Sequence, residues 1–265
     1  MKIKIFAQAA AAALVVFAAE HSYAGCGRVA SASQFDSFYA PLWGCAQTNI
    51  NDMWSRFAFD AADWGGDMGY SNVCDDSTPL KRTFNAMQLL AYGMTNAPTC
   101  STSSSNVGMW AYCWAGDNID EIYPTCETGG TRAKTQFGTF VDNYTKLYQP
   151  FFYDETVVQR AGTLFHEARH ANGWCSHTST CADGGDSCDP NFSSGCVGTG
   201  SGSGPGANGY TVLYMNWFAT TARSNWINTA IRANAVSEGN YYLTRRFGTD
   251  PCFRMNSAGY TFKTC

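Results

Sequence analysis

The sequence has little charge and no excess of basic residues. Only 14% of its 265 residues are charged, and the formal net charge at pH 7 is −4. Proteins that bind nucleic acid neutralise its phosphates with clustered lysine and arginine, and this composition does not supply them. We therefore expect no nucleic-acid partner.

Long apolar runs are also missing, apart from one at the N-terminus. Residues 1–24 read "MKIKIFAQAAAAALVVFAAEHSYA", two lysines followed by an alanine-rich run. This pattern is typical of a secretory signal peptide cleaved after Ala24. The run is too short and too alanine-rich for a membrane span, so we expect no stable membrane insertion. A lipid anchor on Cys26 is the alternative, but Tyr23 stands where a lipoprotein cleavage box has an aliphatic residue.

Paired Cys-x-x-Cys spacings, which are typical of zinc-binding cysteines, are absent. All 12 cysteines follow residue 24, and an even number in an oxidising compartment favours up to six disulfides. Connectivity does not follow from one sequence. Short loops make three pairs candidates, namely Cys175–Cys181, Cys188–Cys196 and Cys252–Cys265.

Helical and extended patterns are mixed along the chain, which predicts an α+β fold. Residues 25–265 are enough for a single secreted domain, with lobes of roughly 25–150 and 151–265 around a cleft. Residues 77–93 form a helical pattern that begins at a Ser-Thr-Pro sequence and ends at a glycine. The other predicted elements are short strands at 108–116 and 145–153 and helices at about 210–222 and 224–237.

The clearest helical pattern covers residues 154–172. Asp154 is the predicted N-cap, and Gly173 is a natural stop. Gly162 leaves room beside the helix for a neighbouring strand or a substrate. Apolar residues recur on one side of the helix, at Val158, Ala161, Phe165 and Ala168.

Histidine is scarce, and its distribution is uneven. The chain has four histidines, three of them between residues 166 and 177. The first two belong to a His-Glu-x-x-His pattern, and on a helix His166 and His170 lie one turn apart on the same side. Two imidazoles on one face can bind one Zn²⁺, with Glu167 placed to act as general base on a water molecule. The pattern therefore predicts a hydrolytic zinc site.

A catalytic zinc ion usually has three protein ligands, so a third ligand is needed. His177 is the first choice, because the chain can turn back after the helix ends and a Cys175–Cys181 disulfide would fix its loop. The spacing of aspartates after Cys181, with Asn191, is also consistent with a Ca²⁺-binding loop or with ordinary turns. The rival zinc ligands are Asp183, Asp186, Asp189 and Glu238.

The segment "QRAGTLFHEARHANG", followed by a third histidine, resembles the active-site helix of the zincin metallopeptidases. In metzincins the motif is extended to H-E-x-x-H-x-x-G-x-x-H. Gly173 matches the glycine of this pattern, and His177 lies one residue after the position of its third histidine. A second resemblance is to the deuterolysin-like aspzincins, and it covers the stretch from "LYQPFFYDE" to "HEARH" and the downstream "NAVSEGNYY". The third zinc ligand of that family is an aspartate in a Gly-Thr-x-Asp segment, which this chain lacks. The resemblance covers residues 148–177 and implies a zincin-like fold with an active-site helix.

The resemblance also implies a function, a secreted zinc metalloendopeptidase acting on protein or peptide substrates. Cell-wall peptides are an alternative substrate, and a non-enzymatic binding module with a structural metal and an aromatic ligand surface is an alternative class of protein. Arg169 is interpreted as a salt-bridging helix residue and Met215 as a core residue. Four tyrosines are unranked candidates for stabilising an oxyanion: Tyr210, Tyr214, Tyr241 and Tyr242.

Overall fold

The computed structural model describes residues 25–28, 45–92, 111–138, 141–172, 207–220 and 229–246. Within them the chain is mixed helix and sheet, as predicted. The strands are β1 (Glu121–Pro124), β2 (Ala133–Gly138) and β3 (Val141–Leu147). The helices are α1 (Gln47–Arg56), α2 (Pro79–Tyr92), α3 (Ala111–Asn118), α4 (Gln149–Tyr153), α5 (Val157–Ala171), α6 (Ala207–Thr220) and α7 (Thr229–Arg246).

Helix α2 confirms the helix predicted over 77–93. Pro79 occupies its first position, where the missing backbone N–H costs nothing. The Thr78 hydroxyl accepts a hydrogen bond from the backbone N–H of Lys81 at 3.3 Å and so caps the helix. Every described side chain from residue 79 to residue 91 is buried, so α2 is a central helix of the core.

The strand predicted at 108–116 is wrong, because Ala111–Asn118 forms α3. Its aromatic residues favoured a strand by composition. In the structure Trp114 stacks on Tyr210 with ring centroids 5.0 Å apart and meets Phe165 edge-on at 4.9 Å. A helix buried on most sides lacks the one-sided periodicity that distinguishes a helix from a strand in a short apolar run.

The three strands form one small sheet in the order β1-β3-β2. Strand β1 is parallel to β3, and β2 is antiparallel to β3. The strand predicted at 145–153 is correct only in its first part, because β3 ends at Leu147 and α4 begins at Gln149. Pro150 lies in the first turn of α4, which explains why the strand cannot continue.

Helix α5 is the centre of the described structure. Helices α2, α3, α6 and α7 and strands β2 and β3 all pack against it. The apolar stripe predicted for this helix is confirmed, since Val158, Ala161, Phe165 and Ala168 are each fully buried. Helices α6 and α7 overlap the predicted helices at 210–222 and 224–237, with shifted ends. Because α5 has neighbours on several sides, its polar residues are fixed by elements from distant parts of the chain.

Disulfide bonds link the described elements. Cys26 pairs with Cys126, and Cys45 pairs with Cys74. Cys113 in α3 is also disulfide-bonded. The expectation that cysteine serves as a cross-link is thus confirmed for these residues, because the described part of the chain contains no free cysteine. The three short pairings suggested by the sequence lie outside the described residues.

Among the described helices, none combines the length and the apolar character needed to cross a bilayer.

Candidate functional site

Helix α5 begins with a capping box, two residues later than predicted. The Thr156 hydroxyl accepts a hydrogen bond from the Gln159 backbone N–H at 3.2 Å, and the Gln159 side chain accepts one from the Thr156 N–H at 2.7 Å. The predicted N-cap, Asp154, instead ends α4. Arg28 draws the Asp154 carboxylate into an ion pair at 2.8 Å. The start of α5 is therefore fixed by a threonine that the sequence pattern did not single out.

The space beside Gly162 is filled by a helix, whereas the sequence suggested a strand or a substrate. A Cβ atom at Gly162 would collide with the end of the Met215 side chain from α6 and would contact Thr211. Met215 is fully buried, which confirms its interpretation as a core residue. Close approach of α6 brings Thr211 to the histidine face of α5.

His166 and His170 converge as the motif predicts. Their Nε2 atoms lie 3.1 Å apart, and the ring centroids lie 4.7 Å apart at an interplanar angle of 78°. Two imidazole nitrogens bound tetrahedrally to one Zn²⁺ at typical distances are separated by about 3.3 Å. The spacing of these two nitrogens therefore fits two ligands of one zinc ion with little rearrangement.

A hydroxyl from α6 contacts the ring of His166. The Thr211 hydroxyl donates to the carbonyl of Ala207 at 3.2 Å, so its oxygen is left to accept a hydrogen bond. The His166 Nδ1 atom lies 3.3 Å from that oxygen, and the pattern assigns the proton to Nδ1. The lone pair of His166 is then on Nε2 and faces His170, as a metal ligand requires.

The Glu167 side chain reaches the sheet. Its carboxylate is buried, with the residue 5% exposed, and its Oε2 atom accepts a hydrogen bond from the Thr135 hydroxyl at 2.7 Å. Thr135 in turn lies 2.8 Å from the Thr145 hydroxyl on the neighbouring strand. Among the described residues Thr135 is the one hydrogen-bond partner of this carboxylate. The Glu167 carboxylate is thus held by an uncharged hydrogen-bond donor.

A second buried carboxylate lies at the other end of α5. Glu155 is 1% exposed and accepts from Arg132 Nε at 2.9 Å and from the Thr163 hydroxyl at 3.1 Å. Burial raises the pKa of Glu155 to about 7, against the opposing effect of Arg132, Arg160 and Thr163; Glu238 on α7 raises it further. The rival ligand Glu238 therefore acts electrostatically on this ion pair.

Arg169 lies in the aromatic layer between α3, α5 and α6. Its Nη1 atom donates to the Asn172 side-chain oxygen at 2.9 Å, and its guanidinium lies 4.9 Å from the centre of the Tyr210 ring. Tyr210 also stacks on Trp114. These contacts give Arg169 a packing role at the end of the helix.

The remaining tyrosine candidates have different surroundings. Tyr214 is fully buried in the core, and burial raises its pKa, so its hydroxyl does not face solvent where a substrate would bind. The Tyr242 hydroxyl accepts a hydrogen bond from Arg132 at 3.2 Å. Tyr241 is 46% exposed.

The predicted third zinc ligand, His177, lies outside the described residues. The aspartates at 183, 186 and 189 and the predicted Ca²⁺-binding loop fall outside them as well. Within the described ranges, no group of three or more histidine, cysteine, aspartate or glutamate side chains is arranged to hold a metal ion. Glu167 therefore does not complete a three-residue group of this kind with His166 and His170.

The sequence analysis missed the three hydroxyl groups of the site, those of Thr135, Thr145 and Thr211. Thr135 and Glu167 are 32 residues apart, and Thr211 and His166 are 45 residues apart. No motif spacing links residues at such separations, so only the packing of α5 against β2 and α6 identifies them.

A separate open cavity of about 540 Å³ lies away from α5. Its lining includes the aromatic residues Trp54 and Phe59 and the acidic residues Asp60, Asp120 and Glu121. Neither histidine of the motif contributes to it.

No protein-family model, curated protein or solved structure matches this chain.

Proposed function

We propose that this chain is a secreted zinc-dependent peptidase with a zincin-like fold, in which His166 and His170 bind the metal. The observation that carries the proposal is the 3.1 Å separation of the two Nε2 atoms, with the proton of His166 assigned to Nδ1. Two imidazole nitrogens in this arrangement supply two of the four positions of a tetrahedral zinc site. His177 remains the proposed third ligand.

The chemistry of hydrolysis divides between the metal and Glu167. When bound, zinc would lower the pKa of a coordinated water toward neutrality and polarise the substrate carbonyl. The Glu167 carboxylate accepts the proton of the attacking water and delivers it to the leaving amine. Its Oε2 atom is held by Thr135, so Oε1 is the atom proposed to receive the proton.

The direct test combines metal content with a general peptidase assay on the purified secreted protein. We expect about one zinc ion per chain in the wild type, loss of zinc in His170→Ala and strongly weakened zinc binding in His177→Ala. Glu167→Gln should keep its zinc and lose peptidase activity. Glu127→Gln is the matched control, because Glu127 lies on the surface in an ion pair with Lys146.

Three results would change the proposal. Full zinc affinity in His177→Ala would move the third ligand to an acidic residue. A wild-type protein without zinc after reconstitution would contradict the peptidase function altogether. Activity on cell-wall peptides, with none on casein, would assign the same site to a different substrate class.

A binding module is the second candidate, and the aromatic cavity supports it. Trp54 stacks on Phe59 with ring centroids 5.2 Å apart. The ring centroid of the exposed Tyr70 lies 5.3 Å from that of Trp54. Aromatic faces together with carboxylates suit a cationic ligand. If a lysine-rich peptide bound to the wild type and not to Trp54→Ala, while Glu167→Gln matched the wild type in every assay, the binding module would be favoured over the peptidase.

A further inference from the structure

Thr135 lies where the sheet contacts Glu167, the candidate general base. It lies on the edge strand β2, is 8% exposed, and faces α5. Three oxygen atoms surround its hydroxyl: Oε2 of Glu167 at 2.7 Å, the hydroxyl of Thr145 at 2.8 Å and the backbone carbonyl of Glu167 at 3.3 Å. One hydroxyl has one proton, so these contacts cannot all be donations from Thr135.

The charges decide the direction of the hydrogen bonds. An ionised carboxylate only accepts, and a bond to it is shorter and stronger than one to a neutral carbonyl. Thr135 therefore donates to Glu167, and the Thr135 oxygen accepts from Thr145. Thr145 is fully buried and lies directly opposite Thr135 in the antiparallel pair of strands. The result is an ordered series of donors from Thr145 to Thr135 to Glu167, in which each bond strengthens the next.

This arrangement differs from ordinary pairing of a buried carboxylate. A guanidinium would stabilise the negative charge and oppose protonation, as Arg132 does at Glu155. A neutral hydroxyl satisfies one oxygen of Glu167, limits rotation of its side chain and leaves Oε1 to the reaction. A general base must hold its accepting atom within hydrogen-bond reach of the water, and misplacement by about 1 Å can lower a rate by roughly a hundredfold.

We propose that Thr135, supported by Thr145, is the positioning residue that orients the Glu167 carboxylate for proton transfer. The proposal rests on the peptidase function, because it assigns Thr135 a role in that reaction. It extends the site from α5 to the edge of the sheet.

Steady-state kinetics of threonine variants test the role. Thr135→Val preserves shape and removes the hydroxyl, and we expect kcat to fall about 10- to 100-fold with KM within about twofold. Thr135→Ser restores the hydroxyl, so kcat should return to within about threefold of the wild type. Thr145→Val should lower kcat only about two- to fivefold, because it removes a supporting bond. Thr163→Val is the matched control: it removes a buried hydroxyl on α5 that serves Glu155, and kcat should not change.

An infrared measurement tests the hydrogen bond without any turnover. The carboxylate band of Glu167 is isolated as the difference between the wild type and Glu167→Gln. This band should shift in Thr135→Val and return to its wild-type position in Thr135→Ser.

The two measurements separate the failure of this inference from failure of the proposed function. Wild-type kcat in Thr135→Val, or no rescue by Thr135→Ser, in an enzyme that Glu167→Gln inactivates would overturn the positioning role alone. An inactive wild type whose infrared band still shifts in Thr135→Val would leave the hydrogen bond established, and would overturn both the peptidase function and the catalytic role of Thr135.

Discussion

Two buried glutamates lie near opposite ends of α5, and the protein accommodates them in different ways. Glu155 precedes the helix and pairs with Arg132 at 2.9 Å, with Thr163 as a further donor. Glu167 lies near the end of the helix and is held by the hydroxyl of Thr135. The first carboxylate belongs to an ion pair that connects α5 to the residues before β2. The second has no cation among its contacts in the described residues, and it adjoins two converging histidines.

Burial by itself does not distinguish the two carboxylates, because both are buried. Burial raises the pKa of Glu155 to about 7, yet its surroundings are those of a structural ion pair. Glu167 is marked by its neighbours, a histidine pair on the same helix and a neutral donor from the sheet. The partners of the two carboxylates are the basis on which Glu167, and not Glu155, is proposed as the general base.

The largest expected effect comes from replacing each glutamate in turn. Glu167→Gln should lower kcat/KM by about 10²- to 10⁴-fold with little change in the free energy of unfolding, since the general base is lost. Glu155→Gln should leave kcat/KM near the wild-type value, because the Glu155 carboxylate lies at the other end of α5 in an ion pair with Arg132. Peptidase kinetics and urea unfolding on both variants measure the contrast. Equal losses of activity in the two variants would remove the distinction between the carboxylates.

Glu155 should make the free energy of unfolding depend on pH. Its pKa is about 7 in the folded protein against an ordinary value of 4.5, so the native state binds this proton more tightly than the unfolded chain does. The resulting stabilisation is complete below about pH 4.5 and is lost as the pH rises to about 7. The loss amounts to at most about 3 kcal/mol.

Urea unfolding between pH 4 and pH 8 measures this change. The difference in unfolding free energy between the wild type and Glu155→Gln should fall through that range and level off above about pH 7.5. A difference that is independent of pH would contradict the shifted pKa of Glu155.

A smaller effect is expected at the histidine end of the helix. Thr211→Val removes the acceptor of the His166 Nδ1 proton, and the affinity for zinc should fall about tenfold, or about 1.4 kcal/mol. Thr83→Val is the control, because Thr83 is a buried threonine that donates to a backbone carbonyl within α2. Competition with a chromogenic chelator gives the zinc dissociation constants. Unchanged affinity in Thr211→Val would show that the tautomer of His166 is set in another way.

The smallest effect concerns the start of α5, near Glu155. Thr156→Ala removes the capping hydroxyl and should lower the free energy of unfolding by about 1 kcal/mol. Asp154→Ala removes only a surface ion pair with Arg28, so a loss below about 0.5 kcal/mol is expected. Thermal and urea unfolding compare the two variants. If Asp154→Ala lowered the free energy of unfolding more than Thr156→Ala, Asp154 would be the N-cap, as the sequence predicted.

The sequence predicted those parts of the fold that depend on local patterns. Helix α2 and most of α5 were identified by turn residues and by the spacing of apolar side chains. The same reasoning failed for α3, because Trp114 and its neighbours are apolar on most sides and carry no clear period. It also misplaced the N-cap of α5, since Asp154 and Thr156 are both good capping residues and only the conformation of the preceding α4 decides between them.

What the sequence by itself determined is the pairing of His166 with His170, because residues four apart on a helix share a face whatever surrounds them. Only the tertiary structure decided which groups complete their environment. Thr211 reaches His166 because α6 packs closely at Gly162, and Thr135 reaches Glu167 because the edge strand β2 lies against α5. Such contacts depend on the relative placement of whole elements, which no local pattern of residues encodes.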